Sequence, residues 1–135
     1  MTVVYVPLCA DPLHYGHTHL IQYARKCGHV ILGLMSDEAI DRYKGVAQQT
    51  WAHRWEVLVE LRGIYNVVKE EDDFRQYYAL KPDILIHGND WTQISHPLFN
   101  HRLELITRMA DWGGHLLEPK ITKGISSTWI KYSTD

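Results

Sequence analysis

Cysteine is scarce in this chain. Cys9 and Cys27 are the only two in 135 residues, and their spacing matches neither a CxxC motif nor a disulfide framework. That excludes a disulfide-stapled scaffold and points to a reducing, cytoplasmic setting. An excess of one charge is also missing. Fourteen basic against sixteen acidic residues leave a net charge of −2, spread along the chain. A nonspecific nucleic-acid binder, which needs a basic stripe, is thereby excluded. A small anionic ligand is not, because it needs only a local cluster. No apolar run approaches the ~20 residues of a membrane span, and the opening "MTVVYVPL" is too short and lacks the basic flank of a signal peptide. Repeats, low-complexity tracts and Pro/Gly-rich linkers are absent. What is present is the ordinary stock of a globular protein, 45% hydrophobic and 22% charged. The length suits one domain, 1–135, with a real core. The last predicted helix would have barely two turns, so that domain is either whole or cut from a longer polypeptide.

Short apolar runs alternate with helical periods. Strands are predicted over 3–8, 29–35, 66–70, 83–88 and 115–119. Helices are predicted over 17–27 (Leu20, Ile21 and Ala24 on one face), from Ser36 as N-cap, over 51–62 (Trp51, Trp55 and Leu58), 72–80 and 97–112 (Phe99, Leu103, Ile106 and Ala110), and from "GISSTWIK" onward. Strands alternating with helices imply an α/β fold: a Rossmann-like, doubly wound, five-stranded parallel sheet flanked by helices. Such sheets bind ligands beyond the carboxyl ends of their strands. The three most unusual stretches, "CADPLHYGH", "HGNDW" and "KITKGISST", follow the first, fourth and fifth strands. They are therefore expected on one rim.

The stretch "DPLHYGHTHL" holds three histidines, His14, His17 and His19, around Gly16. Zinc is disfavoured, because helical histidine pairs that hold it sit at i, i+4 and these spacings are three and two. A solvated helix start with incidental histidines is the plain alternative. The third reading is anion binding: a glycine at a strand-to-helix turn admits a ligand, the helix N-terminus offers N–H groups, and two imidazoles add donors.

His14-Tyr15-Gly16-His17 resembles the HxGH signature of the nucleotidyltransferase superfamily. Gly124-Ile125-Ser126-Ser127-Thr128 resembles the second signature of its cytidylyltransferase branch. "YKG" (43–45), "AHR" (52–54) and "GNDW" (88–91) extend the resemblance over nearly the whole chain. It is similar to glycerol-3-phosphate and phosphocholine cytidylyltransferases. "KPDILIHGNDW" and "EPKITKGISST" look closer to the cytidylyltransferases of phosphonate biosynthesis, some of which are fused to phosphoenolpyruvate mutases. Three departures stand out. "PLCAD" lacks the usual opening glycine, Asn89-Asp90 replaces an acidic pair, and Ile121 stands where many relatives carry arginine.

The resemblance implies attack of an acceptor oxyanion on the α-phosphorus of CTP, with Mg²⁺ accompanying the triphosphate and pyrophosphate leaving. Catalytic residues would be His14 and His17 on the α-phosphate and Lys44 closing over the β- and γ-phosphates. Nucleotide binding would involve Asp11, Gly16, Arg54, Gly88, Asp90, Gly124, Ile125, Ser126 and Thr128. Asp11 and Asp90 equally suit Asx-turns, and Arg54 equally suits an ion pair. Thr122 and His87 would lie near the acceptor, and Trp91 reads as a packing lid. Protein ligands for the metal are not identified. The expected partners are CTP and a small phosphonate or phosphate, with no nucleic acid and no membrane, and a homodimer is expected from the relatives. The competing readings are a glycerol-3-phosphate or phosphocholine acceptor and a non-catalytic nucleotide-binding regulatory module.

Overall fold

The computed structural model describes residues 1–88, 91 and 98–120, with the side chain of Tyr43 outside that set. The elements follow in the order β1 (Val3–Leu8), α1 (Tyr15–Cys27), β2 (His29–Met35), α2 (Asp37–Lys44), α3 (Trp51–Leu58), β3 (Ile64–Glu70), α4 (Arg75–Leu80), β4 (Ile84–Ile86), α5 (Phe99–Met109) and β5 (His115–Leu117). A 3₁₀ turn, Ala110–Trp112, extends α5. The five strands form one sheet in the order β3-β2-β1-β4-β5, and every pairing is parallel. The α/β doubly wound expectation is met.

Alternation along the strands builds two cores. Val4, Val6, Leu8, Val30, Leu32 and Leu34 point to one face and bury Ile21 and Ala24 of α1 and Leu58 of α3. Tyr5, Ile31 and Leu85 point to the other and meet Phe74 and Tyr77 beside and within α4, and Leu105 and Met109 of α5. Because the side-chain period of a strand is two, neighbouring residues serve opposite layers. A smaller cluster, Met35, Ala39 and Ile40, seats α2 over the carboxyl rim.

The order reverses between β1 and β4, and the sheet parts there. β1 stays in register with β2 as far as Leu8↔Leu34. Its pairing with β4 ends at Tyr5↔Leu85. Pro7, which lacks an N–H, falls just past that point, so the missing donor removes no rung to β4. Such a switch point is where open α/β sheets take their ligands.

Several boundaries differ from expectation. α1 starts two residues earlier than predicted because His14 itself caps it. α3 ends at Leu58, not at 62. α4 begins at Arg75, after Phe74 takes a left-handed φ of 57°. Two predicted faces are also corrected. Trp55 is 38% exposed, while Arg54 is buried in its place. In α5 the core residues are Leu105 and Met109, with Leu103 69% exposed. A buried arginine with its own acceptors and an edge-on helix both escape a count of apolar positions. The final predicted helix lies outside the described residues.

Candidate active site

The turn after β1 carries the histidines. His14 has extended backbone angles (φ −145°, ψ 176°) and stands at the N-cap of α1. Its Nδ1 accepts a hydrogen bond from Gly16 N at 3.0 Å. The Nδ1 of His17 accepts from His14 N at 3.1 Å. Each imidazole thus does what a Ser or Glu does in an ordinary capping box. The two rings lie 3.9 Å apart between centroids, tilted by 32°.

These bonds fix the chemistry of both rings. A nitrogen that accepts from a backbone N–H carries no proton, so the neutral ring holds its proton on Nε2. His14 and His17 are therefore paired Nε2–H donors with locked orientations. Burial holds His14 below the ordinary imidazole value, with the Lys44 charge as the next cause. His17 is pushed down to about 3 by burial, then by His14, then by Lys44. In the ligand-free site both imidazoles are thus held neutral, with the Lys44 charge among the causes.

Lys44 is the last residue of α2 and is exposed. Ser36 caps the other end of that helix, its Oγ accepting from Ala39 N at 3.0 Å. Gly45 follows with φ of 91°, a left-handed conformation that suits glycine. The structure thus brings together His14, Gly16, His17 and Lys44 at the carboxyl rim.

Asp11 and Arg54 lie beneath this rim rather than on it. Asp11 is 1% exposed, and its carboxylate accepts from Gln48 N and Gln49 N, each at 2.8 Å. Arg54 is also 1% exposed. Its Nη1 donates to Cys9 O at 2.9 Å and Met35 O at 2.8 Å. Its Nε donates to Gln49 O at 2.9 Å, and its Nη2 to Asp37 Oδ1 at 2.7 Å. Of the two readings of Arg54, the ion pair is the one seen, made to Asp37 with the guanidinium buried rather than at the surface. Four of its donor bonds are spent on the protein, and the charge is enclosed.

The turn after β4 reaches the same rim. His87 Nδ1 donates to Gly88 O at 2.8 Å, and its ring stacks on Trp91 at 3.9 Å and 9°. Trp91 is fully buried, as a packing lid should be. Its indole N–H donates to Glu118. Glu118 also receives a two-pronged contact from Arg102, at 2.9 and 2.7 Å, and that hydrogen bonding holds its carboxyl below the usual range. Sequence pattern alone does not reveal this support for Trp91. The alternation of charged residues in α5 gives no sign of which one turns inward. Asp90, Thr122, Gly124, Ile125, Ser126 and Thr128 lie outside the described residues. Among the described residues no group of three or more His, Cys, Asp or Glu gathers as a metal cage. No described helix is long and apolar enough to cross a membrane.

The chain is also similar to several known proteins. The chain is 33% identical over 126 residues to the "Bifunctional protein HldE" of Acidiphilium cryptum, matching 89% of this chain and 24% of that one. It is 41% identical over 99 residues to the protein of the same name from Syntrophotalea carbinolica, matching 67% of this chain and 20% of that one. The chain thus spans no more than about a quarter of these curated relatives. Among solved structures, it resembles the lipopolysaccharide core biosynthesis protein of Thermoplasma volcanium, with a TM-score of 0.72, 21% identity and coverage of 93% of this chain and 99% of that one. It also resembles the pantothenate synthetase of Thermus thermophilus, with a TM-score of 0.64, 13% identity and coverage of 98% and 62%. Those two likenesses show the fold. The family is shown by the match of residues 6–132 to the cytidylyltransferase-like family model: the chain belongs to that family.

Proposed function

We propose that this cytidylyltransferase-like protein transfers CMP from CTP to an oxygen of a small phosphonate or phosphate acceptor, releasing pyrophosphate. The observation that carries the reading is the His14–His17 pair, two imidazoles with Nδ1 tied to backbone N–H groups and Nε2–H left to give. Donors held in place before the reaction cost no reorganisation during it, which is what stabilises charge in a transition state. An acceptor phosphonate or phosphate oxygen is already ionised at neutral pH, so its attack needs no general base. The new bond joins that oxygen to the α-phosphorus. The bond to the β-bridging oxygen breaks, and its electron pair leaves with pyrophosphate. His14 and His17 hold the equatorial oxygens of the α-phosphate, and Lys44 meets the β- and γ-phosphates as a point charge.

Mg²⁺ bound with CTP would neutralise triphosphate charge, held mainly by phosphate oxygens and water. The family name supports the cytidine base, and the wording of "HGNDW" and "KITKGISST" supports a phosphonate acceptor.

Pyrophosphate release with CTP, ATP, GTP and UTP in Mg²⁺, against a panel of acceptors, tests the proposal. CTP should turn over fastest, with a small phosphonate as acceptor. Faster turnover with ATP overturns the base assignment. Turnover with only glycerol 3-phosphate or phosphocholine overturns the phosphonate. Binding without turnover favours a regulatory module.

A further inference from the structure

Lys44 ends a short helix and precedes a glycine whose added Cβ would touch nothing within 4 Å. By itself such a side chain would sample many places. Yet the chain on both sides of it is tied down from beneath the rim. Upstream, α2 is held at its start by Arg54 through Asp37 at 2.7 Å. Downstream, Gln48 N and Gln49 N converge on the two carboxylate oxygens of Asp11, at 2.8 Å each. The next carbonyl, Gln49 O, is held by Arg54 Nε at 2.9 Å. The same guanidinium grips Cys9 O and Met35 O, the backbone just past β1 and at the end of β2. Asp11 lies three residues before His14 in the turn that carries both histidines.

We infer that Asp11 and Arg54 are positioning residues. Together they clamp the 45–50 segment to the histidine turn and so set where Lys44 stands against His14 and His17. Neither needs to touch the nucleotide. Asp11 acts on the downstream side of Lys44, and Arg54 ties that side to the start of α2. Gly45, with open space around its Cα, lies between clamp and lysine and lets the ammonium adjust while its anchor stays fixed. The inference rests on the reading of Lys44 as the cation for the triphosphate.

A double-mutant cycle on the intact chain tests it. Asp11→Asn leaves one oxygen to accept and sets an NH₂ group against the second amide. With Lys44 in place, this substitution should lower kcat/KM for CTP by about tenfold, chiefly through KM, a size typical of directly coupled residues. In the Lys44→Ala background it should cost little more. Additive losses would overturn the inference, because they mean that Asp11 acts by contacting substrate or by general stability. Hydrogen exchange provides a readout independent of turnover. In Asp11→Asn the Gln48 and Gln49 amides should exchange faster while those of β1 and β2 keep their protection. Unchanged exchange at 48 and 49 would overturn the clamp even if the enzyme is active. If Asp11→Asn fails to fold, Gln48→Pro deletes one donor from an exposed loop and leaves the carboxylate intact, and the same cycle with Lys44→Ala applies. A protein that turns over no nucleotide at all, yet shows the exchange change, refutes the functional reading and leaves the clamp standing.

Discussion

His17 takes the central role at the residue scale. Its Nε2–H is fixed by a bond on the opposite side of the ring, and in the proposed transfer it meets charge that grows during displacement. Removing one such donor typically costs on the order of 10²–10³ in turnover. His17→Ala should therefore depress kcat by about that factor while calorimetric titration shows CTP affinity changed far less; near-wild-type kcat would remove the histidine from the transition state. Lys44→Ala should instead raise KM for CTP, because its contact is made in the ground state as well. The same ring predicts a pH dependence of stability. An unfolded histidine protonates near 6.5, whereas folded His17 stays neutral down to about 3. Between those values the unfolded chain holds the extra proton. The contribution is complete above about 6.5 and is lost as pH falls toward 3. His17→Asn keeps an oxygen to accept from His14 N but cannot titrate. On acidification from pH 7 to 4.5 its melting temperature should fall less than that of the wild type, and parallel falls would contradict a neutral His17. The pairing of His14 with His17 was legible as a four-residue pattern. The enclosure of Asp11 and Arg54 was not, since it depends on carbonyls that the fold brings from residues 9, 35 and 49.

Among the elements, β2 shows how one glycine organises three strands. Tyr5 of β1 reaches across β2 to donate to Glu70 of β3 at 2.6 Å. The path is open because Gly33 has no side chain; an added Cβ would overlap the Tyr5 hydroxyl. Glu70 is fully buried and also accepts from Glu71 N, Gln76 N and Tyr77 N at 2.9, 3.0 and 2.9 Å. It therefore ties the edge strand to the start of α4. Gly33→Ala should destabilise the protein by about 1–3 kcal/mol, the usual cost of overpacking a tight core. Urea unfolding measures it, and a variant as stable as wild type would show that Tyr5 moves aside freely. Strand positions were readable from the sequence because buried parallel strands are continuous apolar runs. Helix edges were less so. A histidine cap on α1 and a left-handed Phe74 before α4 belong to no common start signal. The inward face of α5 is not legible in the sequence because Leu103 is as apolar as Leu105, and only packing against the sheet separates them.

At the scale of the whole molecule, the two-layered sheet delivers the turns after β1 and β4 to one rim, at the place where the strand order reverses. That convergence followed from spacing alone, because parallel strands joined by right-handed crossovers must end on the same side. The proposed choice of a phosphonate over a phosphate ester has no such fold-wide signal, since it turns on the fit of a few side chains. The central claim is that the histidine pair and Lys44 join CMP to an ionised acceptor oxygen. Phosphorus NMR of a reaction containing CTP, Mg²⁺ and a small phosphonate reads that bond directly. The wild-type protein should produce coupled phosphonate–phosphate anhydride signals in step with pyrophosphate, and His17→Ala should produce them on the order of 10²–10³ times more slowly. Pyrophosphate accompanied by free CMP, or equal product from His17→Ala, would contradict the account.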